Sequence, residues 1–391
     1  MFIPGKSSRY ALTHFTLPAH ITDSGLANIR SIVVNEGLIE QVSTESFADE
    51  NIETVDLNGY TLAPGFIDLQ LNGCGGVLFN ADISETTLDV MHATNLRFGC
   101  TSFLPTLITC SDSDMNKAIE VVRSYREKHP ERVPGLHLEG PYINRLKKGI
   151  HDENHIRPLS SDRVDYLCEN ADVIAMLTLA PEVCEPAHIT RLSQAGIVVS
   201  IGHSNATFHE VRAAEQAGAS FVTHLFNAMS QLQSREPGVV GAAFSDSKLG
   251  AGIIADGYHL DWHNLRMSQQ LLNDRLVLVT DATTPAGTDI ESFMFAGQKV
   301  YHSNGKCTSK NGTLGGSALT MIEAVKNCVT QGISERDALV MATANPARVI
   351  GMDKMMGTIR SGSYANFVLL DGEYNVKGTV SGGDLKPVGS V

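Results

Sequence analysis

Short, nearly continuous apolar runs recur through the middle of the chain: Phe66 to Leu71, Leu136 to Leu138, Val173 to Leu179, Ile197 to Ile201, Phe221 to Val222, Ile253 to Ile254 and Leu276 to Val279. They alternate with stretches of helical spacing between about residues 62 and 358, which predicts βα units and a parallel (β/α) barrel. Ser113 to Lys128 places Ile119 and Val122 on one face with Glu120 and Arg123 beside it. Ser334 stands three residues before Asp337, a capping-box spacing, and Ser317 is expected to open a helix running through Met321 and Val325 toward Gly332. The two ends of the chain differ from this middle and resemble each other. Residues 29–42 carry two apolar runs joined by Asn35-Glu36-Gly37, a β-hairpin pattern. Tyr364 to Leu370, Asp371-Gly372 and Val376 to Val380 again read as strand, turn, strand. Residues 1–61 with 359–391 are therefore expected to form a small β-sandwich, into which a barrel of residues 62–358 is inserted.

Polar groups interrupt the apolar runs at their ends, and this is where a barrel keeps its chemistry. In Phe66 to Gly73 the alternation of a strand puts Asp68, Gln70 and Asn72 on one face and Ile67, Leu69 and Leu71 on the other. A buried polar stripe is costly without partners, so that face should look into the barrel mouth. Glu139 follows Leu138 and precedes Gly140-Pro141, while His203 and His224 each close an apolar run. Two imidazoles and a carboxylate on neighbouring strands suit one divalent cation such as zinc. Asp281 ends Leu276 to Thr280 and is the candidate base for a metal-activated water. His259 is placed to polarise a carbonyl or to hold substrate hydroxyls. Lys147 to His151, Ser234-Arg235 and Thr313 to Ser317 offer cations and glycine-rich backbone suited to an anionic group.

The charge balance narrows the ligand. With Lys+Arg 30 against Asp+Glu 43, the net charge of −13 argues against nucleic acid, which needs a basic footprint. No apolar stretch reaches the roughly 18 residues of a membrane span, and the N-terminus lacks a signal-peptide core, so a cytoplasmic protein with no membrane partner is expected. The 7 cysteines are scattered without paired spacing and read as free thiols.

Taken in order, FIDLQLNGCGG, HLEGPYINRLKKGIH, GHSNAT, THLFNAM, REPGVVG, ADGYH, VTDA and LGGSALTM resemble the N-acetylglucosamine-6-phosphate deacetylases of the amidohydrolase superfamily across essentially the whole chain. The resemblance implies a distorted (β/α)8 TIM-type barrel with a β-sandwich from both termini. It implies one divalent metal ion, usually Zn2+, on Glu139, His203 and His224, with Asp281 as general base and then acid. His259 would contact the substrate near the scissile amide. His151, the backbone at Asn227 and Ala228, and Arg235 would hold the sugar phosphate, and Ile150 would line the pocket. Leu314, Gly315, Gly316 and Ser317 would form a loop over the substrate. A homodimer or homotetramer is implied, with the Arg of the REPG segment reaching a partner's site. Many amidohydrolases carry His-x-His on the first strand to hold a second metal; here Gln70 and Asn72 take those places, and amides are poor zinc ligands, so a single-metal site is expected. An N-acetylgalactosamine-6-phosphate deacetylase and a catalytically inactive scaffold remain the alternatives.

Overall fold

The computed structural model describes residues 9–18, 28–245 and 247–387. Eight parallel strands run in chain order around a barrel: Phe66–Leu71, Cys100–Ile108, Leu136–Glu139, Ile174–Leu179, Val198–Ile201, Phe221–Val222, Gly250–Ile253 and Leu276–Leu278. The barrel closes just beyond the named ends of its first and last strands. Asp281 N–H donates to Gln70 O at 2.9 Å, and Asn72 N–H and Gly73 N–H both donate to Ala282 O, at 2.9 and 3.0 Å. Register shifts between the first two strands and the two-residue length of the sixth account for its distorted outline. Cys100–Ile108 is absent from the apolar runs picked out above, because Thr101, Ser102, Pro105 and Thr106 break its apolar pattern.

The helices behave as their caps dictate. Asp112–Lys128 starts on Ser111, whose side chain accepts from Asp114 N–H, and buries Met115, Ala118, Ile119, Val122 and Tyr125 against the barrel. Glu335–Ala342 is capped by Ser334, which accepts from Asp337 N–H at 3.1 Å. The expected start at Ser317 is corrected by the structure: the helix is Met321–Thr330, opened by a capping box between Thr320 and Glu323. Ser317 is instead spent holding the eighth strand, its Oγ donating to Thr280 O at 2.6 Å.

Two four-stranded sheets lie outside the barrel. One pairs Arg9–Thr13, Ser31–Asn35, Leu38–Ser43 and Glu53–Asp56; the other pairs Thr61–Pro64, Phe367–Leu370, Val376–Ser381 and Asp384–Pro387. Tyr10, Leu12, Ile32, Val34 and Ile39 from the first share one apolar cluster with Leu62, Phe367, Leu369 and Val380 from the second, giving a sandwich built from both ends of the chain. Glu36 and Gly37 both have positive φ, 49° and 81°, which makes the predicted hairpin turn right for the strand twist. Asn366 ties the sandwich to the barrel by donating to Ser102 Oγ and Glu131 O.

Between the eighth strand and its helix the chain forms a three-stranded antiparallel sheet, Ser292–Phe295, Gln298–Ser303 and Lys306–Ser309. Its inner face carries Phe293, Phe295, Val300 and Cys307, which pack on Leu78, Ile108 and Ile150. The element covers one side of the barrel mouth.

Candidate metal centre and active site

Glu139, His203 and His224 converge at the carboxyl ends of the third, fifth and sixth strands. His203 Nε2 and His224 Nε2 lie 3.1 and 3.0 Å from Glu139 Oε1, and 3.1 Å from each other. His203 Nδ1 is 2.8 Å from Lys147 O, a carbonyl that can only accept, so that nitrogen carries a proton and Nε2 is the atom left to ligate a cation. Glu139 Oε1 and the two Nε2 atoms thus face one point, all three residues at least nine-tenths buried. Metal-to-ligand distances of roughly 2.0–2.2 Å require tetrahedral ligands to stand a little over 3 Å apart, as these do. Burial pushes the Glu139 carboxyl up, but the two imidazoles beside it outweigh this and hold it well below the usual range, which keeps it an anionic ligand. The residues fit a divalent cation.

His151 lies closer to this centre than its expected phosphate role implies. One of its ring nitrogens falls within 4.8 Å of ligand atoms of Glu139 and His203, and its ring centroid is 4.2 Å from that of His203. His151 Nδ1 is tied to Thr109 Oγ1 at 2.8 Å. Burial, with the neighbouring His203 ring, pushes the His151 imidazole well below its ordinary value, so it is neutral. Gly140 makes room for this arrangement: at φ +85° it passes Thr109 so closely that a Cβ would stand 2.4 Å from Oγ1.

Asp281 faces the metal set from the eighth strand. Its carboxyl is pushed up to about 6, first by burial and then by the Glu139 charge, against the opposing pull of His224, His259 and the Asn72 amide. His259 is held by Asp256, whose Oδ2 is 2.6 Å from Nδ1 while its Oδ1 accepts the N–H groups of Tyr258 and His259. Backbone conformation is unusual at three of the strand ends: His203, His224 and Asp281 have φ of 48°, 30° and 49°. Such left-handed non-glycine residues cost about 1–3 kcal/mol each and persist only where the surroundings fix them. Here the carbonyls of all three are pinned by Asn144, Asn227 and Ser317 N–H groups.

A cavity of about 430 Å³ opens above these groups, lined among others by Ile150, His151, Asn227, Ala228, His259, Leu314 and Gly316. Three expected residues do not reach its wall. Arg235 lies on the exposed loop 231–235, Gly315 N–H is spent on Cys307 O, and Ser317 is buried in the strand register described above. The sequence reading missed Ile108 and Phe295, which line the cavity, and Asp256, which holds His259. Phe293 and Phe295 alternate before the Ala296-Gly297 turn, a strand signal that could have revealed the covering sheet. His137 does not line the cavity; its ring is buried below, 2.9 Å from Leu69 O and 2.8 Å from Thr178 Oγ1. Asp68 is likewise structural, accepting from Thr280 N–H and Oγ1 and from Gln70 N–H.

Known proteins resemble this chain over nearly its full length. An N-acetylglucosamine-6-phosphate deacetylase of Haemophilus influenzae is 44% identical over 360 residues, 91% of this chain and 94% of that protein. An N-acetylgalactosamine-6-phosphate deacetylase of a Shewanella species is 36% identical, covering 93% of each chain. The crystal structure of N-acetylglucosamine-6-phosphate deacetylase from Pasteurella multocida superposes with a TM-score of 0.93 at 45% identity, covering 97% of this chain and 100% of that one. The sequence pattern of the amidohydrolase family matches residues 61–386. The chain belongs to the amidohydrolase family.

Proposed function

We propose that this protein hydrolyses the acetamide of N-acetylglucosamine 6-phosphate to glucosamine 6-phosphate and acetate, with one zinc ion on Glu139, His203 and His224. The observation that carries the reading is the convergence of those three groups at 3.0–3.1 Å with Asp281, just past the eighth strand, lining the same cavity. When bound, the ion supplies Lewis acidity that makes water more acidic and the acetamide carbonyl more electrophilic. Asp281 takes a proton from the attacking water as the new C–O bond forms, and returns it to the nitrogen as the C–N bond breaks. Burial raises the Asp281 carboxyl and so strengthens it as a base, while a cation held on Glu139 would lower it again toward the range in which it is ionised at neutral pH. His259, its ring fixed by Asp256, contacts the substrate close to the amide. His151 stands beside the metal set, and the backbone at Asn227 and Ala228, with Ile150, Leu314 and Gly316, forms the wall around the sugar phosphate.

Arg235, exposed and away from its own cavity, serves the phosphate of a neighbouring protomer in a homodimer or homotetramer. Among the described residues no helix is long and apolar enough to cross a membrane, in keeping with a cytoplasmic enzyme. The Shewanella relative supports a second reading, the N-acetylgalactosamine epimer. The metal set and Asp281, complete and mutually oriented, speak for catalysis over a scaffold role.

Acetate release from the two sugar phosphates, before and after chelation, tests these readings together. The glucosamine epimer should give the higher kcat/KM, chelation should abolish turnover, and zinc should restore it. Full activity after verified metal removal would refute the mechanism, and a higher kcat/KM for the galactosamine epimer would reassign the substrate. Arg235→Ala should raise KM for the phosphorylated sugar while leaving the unphosphorylated one unchanged; an equal effect on both would remove the role assigned to Arg235.

A further inference from the structure

Gln70 and Asn72 do not line the cavity, yet both amides are aimed at the catalytic carboxylates. Gln70 Nε2 donates to Glu139 Oε1 at 3.0 Å and to Asp281 Oδ1 at 3.3 Å. Asn72 Nδ2 donates to the same Asp281 Oδ1 at 2.6 Å. Both amide contacts to Asp281 therefore end on one oxygen, and Oδ2 has no partner among the described residues. Strand register enforces the arrangement, because the Asp281 N–H bonds to Gln70 O and the Asn72 N–H to Ala282 O, each at 2.9 Å.

The orientation of the amides separates this role from metal binding. An amide would ligate a cation through its oxygen, but two carboxylate acceptors require that nitrogen face them. Asn72 Oδ1 points away from them, buried and without a hydrogen-bond partner. A carboxylate oxygen has two lone pairs in its plane, and two amide donors occupy both on Oδ1.

We infer that Asn72 and Gln70 are positioning residues for proton transfer: by saturating Asp281 Oδ1 they leave Oδ2 as the atom that takes the proton from water and delivers it to the departing nitrogen. Their second effect is to fix the carboxylate plane toward the metal set, with Gln70 bridging the base and the ligand Glu139. The inference rests on the deacetylase reading above.

The test compares wild type, Asp281→Asn, Asn72→Ala and Asn72→Leu in one acetate-release assay on N-acetylglucosamine 6-phosphate, with metal content and thermal unfolding measured on each. Loss of the clamp should lower kcat about ten- to a hundredfold, part of the 10²–10⁴ that a positioned base contributes, with KM within about twofold and one metal per chain retained. If the Asn72 variants do not fold, Gln70→Met, of similar volume and without a donor, carries the same expectation. An unchanged kcat overturns the clamp, and so does a kcat loss that follows metal content and is reversed by added zinc, which would make Asn72 a ligand. Inactive wild type would sink the deacetylase reading and the clamp with it; active wild type with unaffected Asn72 variants would sink the clamp alone.

Discussion

Replacing Asp281 by Asn should inactivate the enzyme and, in the metal-stripped protein, stabilise the fold. The amide keeps an oxygen that can accept from Asn72 and Gln70, so the substitution removes a charge and little else. The folded-state carboxyl is raised from 3.8 to about 6, by burial first and the Glu139 charge second. Each tenfold change in proton affinity is worth about 1.4 kcal/mol, so the ionised form costs on the order of 3 kcal/mol relative to the unfolded chain. The sign follows from proton binding. Between about pH 4 and 6 the folded state holds a proton on Asp281 that the unfolded state has lost, so raising the pH through that window destabilises the wild type relative to the variant, which lacks this group while sharing the other titrating residues. Urea unfolding of metal-stripped protein from pH 4 to 8 should show no difference at the acid end and a full advantage for Asp281→Asn above pH 6. Loading with zinc should shrink the gap, because a cation on Glu139 compensates the carboxylate. A stability difference that is absent at pH 7.5, or equal at every pH, would refute the argument that a buried charge is held there against its own solvation.

Two further outcomes are expected. Glu139→Gln should lose the metal, falling from one ion per chain toward none by elemental analysis, since it removes the anion that both imidazoles face; retention of a full equivalent would dissociate Glu139 from the centre. Gly140→Ala should lower the unfolding temperature, because a left-handed backbone and a Cβ 2.4 Å from Thr109 Oγ1 together cost roughly 1–3 kcal/mol or more, and kcat should drop as Thr109 shifts under His151; a variant with wild-type stability and rate would show that the contact relaxes freely.

Where one polar group closed an otherwise apolar run, the sequence pointed to side chains that the structure gathers around one mouth. Glu139, His203, His224 and Asp281 stand out because a solitary polar side chain at such a place has few roles that repay its burial. Residues whose role depends on distant partners were harder. The phosphate role of His151 comes from the family resemblance; its place beside His203 arises from a chain path through Lys147 and Gly149 that no local pattern encodes. Asp256 escaped notice although it stands three residues before His259, since its value lies in the direction of one side chain. The strand Cys100–Ile108 was hidden by Pro105 and its polar neighbours, and the covering sheet by its half-exposed, mixed composition. Ser317 carries the opposite lesson: a residue at a helix-start position can be claimed by a neighbouring strand when the true cap lies three residues on.

The seam that closes the barrel gives the enzyme a built-in order of assembly. Glu139, His203 and His224 leave the ribosome well before Asp281, and Gln70 waits 211 residues for its partner across the seam. At 5–20 residues per second that is roughly 10–40 s of synthesis, and only for about the last 3–11 s of it does the chain carry all three proposed metal-binding side chains without the proposed proton acceptor. On the proposed mechanism, a nascent or truncated chain ending before the eighth strand lacks the base for turnover, so the onset of deacetylation would mark the moment when the first and last strands meet.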